Sequence, residues 1–324
     1  MSIIEKAARR IDQERGQTLP VQVPAQLPVS HAMASDDRDV LEPVAVAAPV
    51  LPPPVASAAA APAAAASTPV LEADAAPAAP QRQTRKVELD LAKMRASGMV
   101  TAAGGRTSLV EDFRIIKRPL LKRAFGERQE RGNPANLIML TSSLPGEGKT
   151  YCAINLAMSI AMELDHTVLL VDADVARPSV LRTLGLPAQR GLMDLLVDDK
   201  LDVSDVLLRT NVDTLSILAA GTSTPRATEL LASSTMANLV QEIANRYSDR
   251  VVIFDSPPLL LTSEARTLAS HMGQIVVVVE AQKTTQHAVN EALRQLEGYN
   301  NVNLIYNKTR DIPGIEETYD YHYG

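Results

Sequence analysis

The sequence runs to 324 residues, 46% hydrophobic and 22% charged, with a formal net charge of -6. That is enough apolar material for one or two domains, and the acidic balance excludes a broad basic nucleic-acid-binding surface. The single cysteine, Cys152, excludes an intrachain disulfide and fits a reducing compartment. No run approaches the roughly 18 consecutive apolar residues of a membrane-spanning helix. Glu5, Lys6, Arg9 and Arg10 stand where a secretory signal would need an apolar stretch, so the expected setting is cytoplasmic.

Residues 1–16 predict a short amphipathic helix. Ile3, Ile4, Ala7, Ala8 and Ile11 share one face, Lys6, Arg9, Arg10 and Asp12 lie largely off it, and Gly16 is a plausible stop. Such a helix is either a solvated piece or a docking element for a partner or membrane surface. Residues 17–86 are of low complexity: between 41 and 80, 17 residues are Ala and 9 are Pro. With few large side chains to offset its conformational entropy, this segment is expected to be a disordered or polyproline-like tether. As a flexible coil, 70 residues span roughly 45 Å r.m.s..

From residue 87 the pattern changes to alternating β-rich and helical stretches, expected to form one domain over 87–315. Strands are predicted at Leu137–Leu140, Thr167–Val171, Leu215–Ala219, Val251–Phe254, Ile275–Val279 and Val302–Tyr306. Their unbroken apolar character suits burial on both faces. Helical periodicity appears at 149–163, 234–247, 262–271 and 284–298. The alternation predicts an α/β fold with a doubly wound, mostly parallel sheet.

The first of these strands runs into S-L-P-G-E-G-K-T, residues 143 to 150. This matches the phosphate-loop spacing G-x-x-x-x-G-K-[ST], with Ser143 in the first Gly position. Gly146 and Gly148 free the backbone to turn its N–H groups around phosphate oxygens. The helix that begins near Lys149 points its positive end at the same anion. Lys149 is placed to reach the β- and γ-phosphates and the Thr150 hydroxyl to ligate Mg²⁺. Glu147 and Tyr151 complete the set expected to contact nucleotide. Cys152, one residue on, reads as a small buried hydrophobe.

The next strand ends V-D-A-D, placing Asp172 and Asp174 at its carboxyl end, and a later one ends F-D-S-P-P, placing Asp255 at the same edge. Ligands of open α/β sheets bind at that edge. Carboxylates converging beside a phosphate loop repel one another unless a cation lies between them, and Mg²⁺ is the natural cation beside ATP. The bland alternative is that one of them caps a helix or turn. At the far end, Tyr319, Tyr321 and Tyr323 alternate within the acidic E-E-T-Y-D-Y-H-Y-G. This reads either as an edge strand or as a solvated tail (316–324) leaving the domain at Pro313 and Gly314.

The combination P-G-E-G-K-T, D-A-D and F-D-S-P-P resembles the bacterial tyrosine kinases of the capsule and exopolysaccharide type, P-loop proteins with Walker A, A′ and B motifs, over roughly residues 87 to 324. More narrowly, the chain resembles the stand-alone autokinases of exosortase-associated clusters, which also begin with an S-I-I-E-K-A-like helix and a variable linker. The resemblance implies an ATP- and Mg²⁺-dependent autokinase with Lys149, Asp172, Asp174 and Asp255 catalytic. It makes Asp172 the acceptor of the tyrosine proton, has Thr150, Asp172 and Asp255 hold the metal, and leaves Tyr319, Tyr321 and Tyr323 as phospho-acceptors. Asn307, followed by Lys308, resembles an adenine-contact position. Glu111, Arg114 and Lys117 match the family's E-x-x-R-x-x-R subunit contact, with Lys for the last Arg. The A′ motif departs at Ala176, where the family carries a basic residue; Arg177 follows it. The implied partners are further copies in a ring, a membrane-bound activator resembling chain-length determinants that recruits the chain to the inner face of the membrane, and a protein tyrosine phosphatase. Nucleic acid is not among them. Two other readings share the phosphate loop. One is a partitioning or division-site ATPase switch, whose second loop lysine is replaced here by Leu144; the other is a nucleotide-binding scaffold without kinase activity.

Overall fold

In the computed structural model the residues described are 85–102, 105, 107–126 and 132–309. The expected N-terminal helix, the linker as far as residue 84 and the tyrosine tail lie outside them. Strand β1 (Arg85–Lys86) opens the described chain, followed by helices α1 (Leu91–Ala96) and α2 (Ser108–Ala124). Then come β2 (Leu137–Ser142), α3 (Lys149–Ala161), β3 (Thr167–Asp172), α4 (Val180–Thr183), α5 (Leu192–Val197), α6 (Val203–Val206), β4 (Leu208–Arg209) and β5 (Leu215–Leu218). The chain continues through α7 (Ala227–Leu231), α8 (Ser234–Asn245), β6 (Arg250–Asp255), α9 (Ser263–Ala269), β7 (Gln274–Glu280), α10 (Gln286–Arg294) and β8 (Val302–Asn307).

The strands form one sheet in the order β1-β4-β5-β3-β6-β2-β7-β8. Every pairing is parallel except β4 with β5. Successive strand residues serve opposite faces. Leu137, Met139, Leu169, Val171, Val252 and Phe254 pack into one core with the faces of α8 and α9. Ile138, Leu140, Val168, Leu170, Val251 and Ile253 pack into the other with α2 and α3. Both faces are covered, which is why the strands read as unbroken apolar runs.

All six expected strands form, each within a residue or two of its expected limits. The four expected helices form as well, mostly shorter; α10 starts at Gln286 because Thr285 caps it, its Oγ1 accepting from the Ala288 N–H at 3.2 Å. Strands β1 and β4 were not expected, since two residues carry no periodicity. Pairing through β1 carries the sheet two residues ahead of the expected start at 87. The connection from it is stitched down by Asn211, whose amide accepts from Leu89 N–H at 2.9 Å and donates to Leu89 C=O at 3.1 Å.

Helix α2 is capped by Thr107, which accepts from Val110 N–H. Its buried stripe is Val110, Phe113, Lys117 and Leu120, the spacing of one helical face. Pro119 sits on the exposed side, where water can replace the backbone bond that a proline removes. Within this stripe Lys117 is buried against α3, 3% exposed, while Glu111 and Arg114 pair with each other further out on the helix. Its ammonium donates to Ser159 C=O at 2.6 Å and pairs with Glu163 at 2.6 Å.

Candidate active site

Three adjacent strands of the sheet, β3, β6 and β2, end at one place. Asp172 and Asp255 are register partners across β3 and β6. On the other side of β6, strand β2 leads into the loop 143–148 and then α3. Gly146 (φ 84°) and Gly148 (φ 97°) adopt left-handed backbone, the region where a side chain is strained. At Gly148 a Cβ would also lie 2.1 Å from the Asn307 amide nitrogen, so Asn307 would have to move off the loop to admit it.

Lys149, first residue of α3, lies 2.7 Å from Asp174 Oδ2 and 3.6 Å from Asp255 Oδ1. Burial works against its charge, but the facing Asp255 and Asp174 outweigh it and raise its pKa above the ordinary value. The Thr150 hydroxyl donates to Asp255 Oδ2 at 2.6 Å and lies 2.8 Å from Ser179 Oγ. Asp172 Oδ2 accepts the N–H groups of Ser179 (3.0 Å) and Val180 (2.9 Å), so this oxygen does cap the first turn of α4. Its other oxygen and Oδ1 of Asp255 are buried without a hydrogen-bond partner. Asp174 Oδ1 accepts from Arg177 N–H, which fixes the turn while the Arg177 side chain stays exposed.

Burial raises Asp172 from 3.8 to about 6 despite the two backbone N–H groups, with Asp174 adding to the rise. It raises Asp255 further, to about 7, against the pull of Lys149 and of the Thr150 hydroxyl, with Asp172 and Asp174 pushing the same way as burial. Two buried carboxylates in register, each with an orphaned oxygen, are what a divalent cation resolves. Among the described residues no group of three or more His, Cys, Asp or Glu side chains forms a cage for a metal. The donor set fits Mg²⁺ in the manner that leaves positions for phosphate and water: one hydroxyl and two carboxylates.

Outside the cradle, residues from the ends of β7 and β8 brace the loop. Asn307 donates to Glu147 C=O at 2.8 Å, and Lys308 donates to Gly146 C=O at 2.7 Å. Glu147 is buried, 2% exposed. It accepts from Leu144 N–H at 2.7 Å and from the Thr284 hydroxyl. Asn307 thus contacts the loop itself, and the Tyr151 hydroxyl is committed to Gly98 C=O at 2.5 Å. Sequence reasoning missed Ser179 and Thr284. The first had a visible signal, a serine after proline before a short apolar run; the second had none, since its partner lies 137 residues away. Cys152 is buried, and burial first, then Asp255, pushes its thiol up to about 12. Glu111 and Arg114 pair with each other on the exposed side of α2.

A sequence profile described as an AAA domain matches residues 135–311. Tyrosine-protein kinase YwqD of Bacillus subtilis is 34% identical over 57% of this chain and 74% of its own length. Tyrosine-protein kinase CpsD of Streptococcus agalactiae is 28% identical over 56% of this chain and 80% of its own. Among solved structures, the kinase domain of the Escherichia coli tyrosine kinase ETK superposes with a TM-score of 0.57 at 27% identity, covering 67% of this chain and 82% of that one.

Proposed function

Because the chain belongs to the bacterial tyrosine-protein kinases, we propose that it transfers the γ-phosphoryl group of ATP to its own C-terminal tyrosines, Tyr319, Tyr321 and Tyr323, presented by a neighbouring copy. The observation that carries this reading is the convergence of Lys149, Asp172 and Asp255 on one sheet edge beside a glycine loop.

The loop N–H groups and the end of α3 bind the phosphates. Thr150, Asp172 and Asp255 would hold Mg²⁺, Asp255 through water; when bound, the cation neutralises charge on the β- and γ-phosphate oxygens. Lys149, kept charged by Asp174 and Asp255, exchanges a carboxylate for a phosphoryl oxygen and neutralises the charge that develops there. A tyrosine hydroxyl has a pKa near 10 and needs a base. Asp172, at the end of β3 beside the loop, accepts that proton. Asp174 assists by orienting the lysine, at 2.7 Å. The departure at Ala176 leaves Arg177, exposed beside the site, as the cation nearest the family's A′ position.

The chain further acts, on this reading, at the inner face of the cell membrane, in a ring of copies joined through Glu111, Arg114 and Lys117 of α2. An activator resembling chain-length determinants recruits it, a protein tyrosine phosphatase opposes it, and exopolysaccharide production is the process it regulates. The domain limits 1–16, 17–86, 87–315 and 316–324 belong to the same proposal. Substituting Lys149→Met should abolish incorporation of labelled phosphate into tyrosine; undiminished labelling would refute the assignment.

A further inference from the structure

Glu147 places a carboxylate inside a loop built to attract anions. It stands between Gly146 and Gly148, the two positions whose left-handed backbone shapes the cradle. A free carboxylate there repels the triphosphate that the loop binds. In this chain it is not free. It is 2% exposed, one oxygen takes the Leu144 N–H at 2.7 Å, and the other takes the hydroxyl of Thr284. Thr284 is well anchored for that task. Its N–H donates to Glu280 C=O at 3.1 Å, the turn passes through Gln282 at φ 62°, and Ala281 N–H donates to Asn307 C=O at 2.9 Å. The turn after β7 and the end of β8 therefore form one brace against the outer side of the loop.

We propose that Thr284 is a positioning residue for nucleotide binding: its hydroxyl pins the Glu147 carboxylate outward and keeps that negative charge off the phosphates. The inference rests on the reading that ATP phosphates occupy the loop, and it adds a residue from a turn far along the chain. Without the hydroxyl, Glu147 keeps only the Leu144 N–H and is released to turn toward the cradle. The defect is electrostatic, so removing the charge should cure it. A purely mechanical role for the brace predicts no such cure.

The test uses the full chain and ATP titration, with tyrosine phosphorylation as a second readout. Thr284→Val keeps the side-chain volume and loses the hydroxyl, and should weaken ATP binding about tenfold while kcat changes little, the loss shrinking as salt is raised. In the double variant Thr284→Val, Glu147→Gln, affinity should return to within about twofold of the unsubstituted chain, because a neutral amide no longer repels phosphate. Equal ATP affinity in Thr284→Val and the unsubstituted chain overturns the proposal, as does a double variant that binds as weakly as Thr284→Val alone. An unsubstituted chain that binds no ATP overturns both this inference and the reading beneath it.

Discussion

At the scale of single residues, the site is governed by two buried acids that share a register position. Asp172 and Asp255 are raised to about 6 and about 7 chiefly by burial. In the unfolded chain both titrate near 3.8. Between these values the folded protein holds protons that the unfolded chain has released, so stability falls as pH rises. This contribution is full below the unfolded value and gone once pH passes the folded values. Melting temperature measured without nucleotide or divalent cation should therefore decline from pH 5 to pH 8. Asp255→Asn should flatten much of that decline and also remove tyrosine phosphorylation. A slope unchanged in the variant would place the titration elsewhere.

At the scale of elements, α2 shows how a helix settles which of its residues are available. Its stripe of Val110, Phe113, Lys117 and Leu120 takes Lys117 into the contact with α3, where Ser159 C=O and Glu163 satisfy the ammonium. Glu163 is lowered from the usual carboxylate range, first by its bond to Lys117. Removing one partner of a buried pair costs about 3–5 kcal/mol, and the partial exposure of Glu163 puts Lys117→Ala at about 2–3 kcal/mol. Lys117→Met retains the apolar stem and should cost less. Urea unfolding of the two variants checks the order; equal midpoints in the two would show that the apolar stem contributes nothing, and a Lys117→Met midpoint equal to that of the unsubstituted chain would show the same of the ammonium.

The same helix shows what a sequence discloses. The stripe was readable, since positions three and four apart share a face whether or not one of them is a lysine. The strands and their order of appearance were legible because burial on both sheet faces demands continuous apolar runs. The phosphate loop and the three aspartates were legible because their chemistry fixes residue type and local spacing. What could not be read was contact between distant segments: the Asn307 and Lys308 bonds to the loop, Thr284 on Glu147, Ser179 beside Thr150. Those depend on which strands become neighbours, and β2 sits between β6 and β7, an order that no local pattern states.

At the scale of the whole molecule, charge sets the expected behaviour of the assembly. The chain carries a formal charge of -6, with Glu316, Glu317 and Asp320 around its terminal tyrosines. Each phosphotyrosine adds about -1.5 to -2 at neutral pH, so three add roughly -5 to -6. On the reading that the tail enters a neighbouring copy's site, a tail so charged should leave that acidic site and loosen the oligomer. Size-exclusion or sedimentation before and after phosphatase treatment should show the larger species only after dephosphorylation. A single size in both states would count against regulation by the tail.

The sheet order has a mechanical consequence. Arg85 enters at β1 on one margin and Thr309 follows β8 on the opposite margin, seven strand spacings away, or roughly 34 Å. A tension drawn between these two points runs across the strands and opens their ladders one rung at a time. The first seam to meet it is the two-rung join between β1 and β4, at the margin remote from the phosphates. The catalytic edge at β3, β6 and β2 lies in the middle of the load path, beyond the two-rung seams of β4 with β1 and with β5. A domain pulled at Arg85 would thus shed its outermost strand while the nucleotide cradle stayed whole.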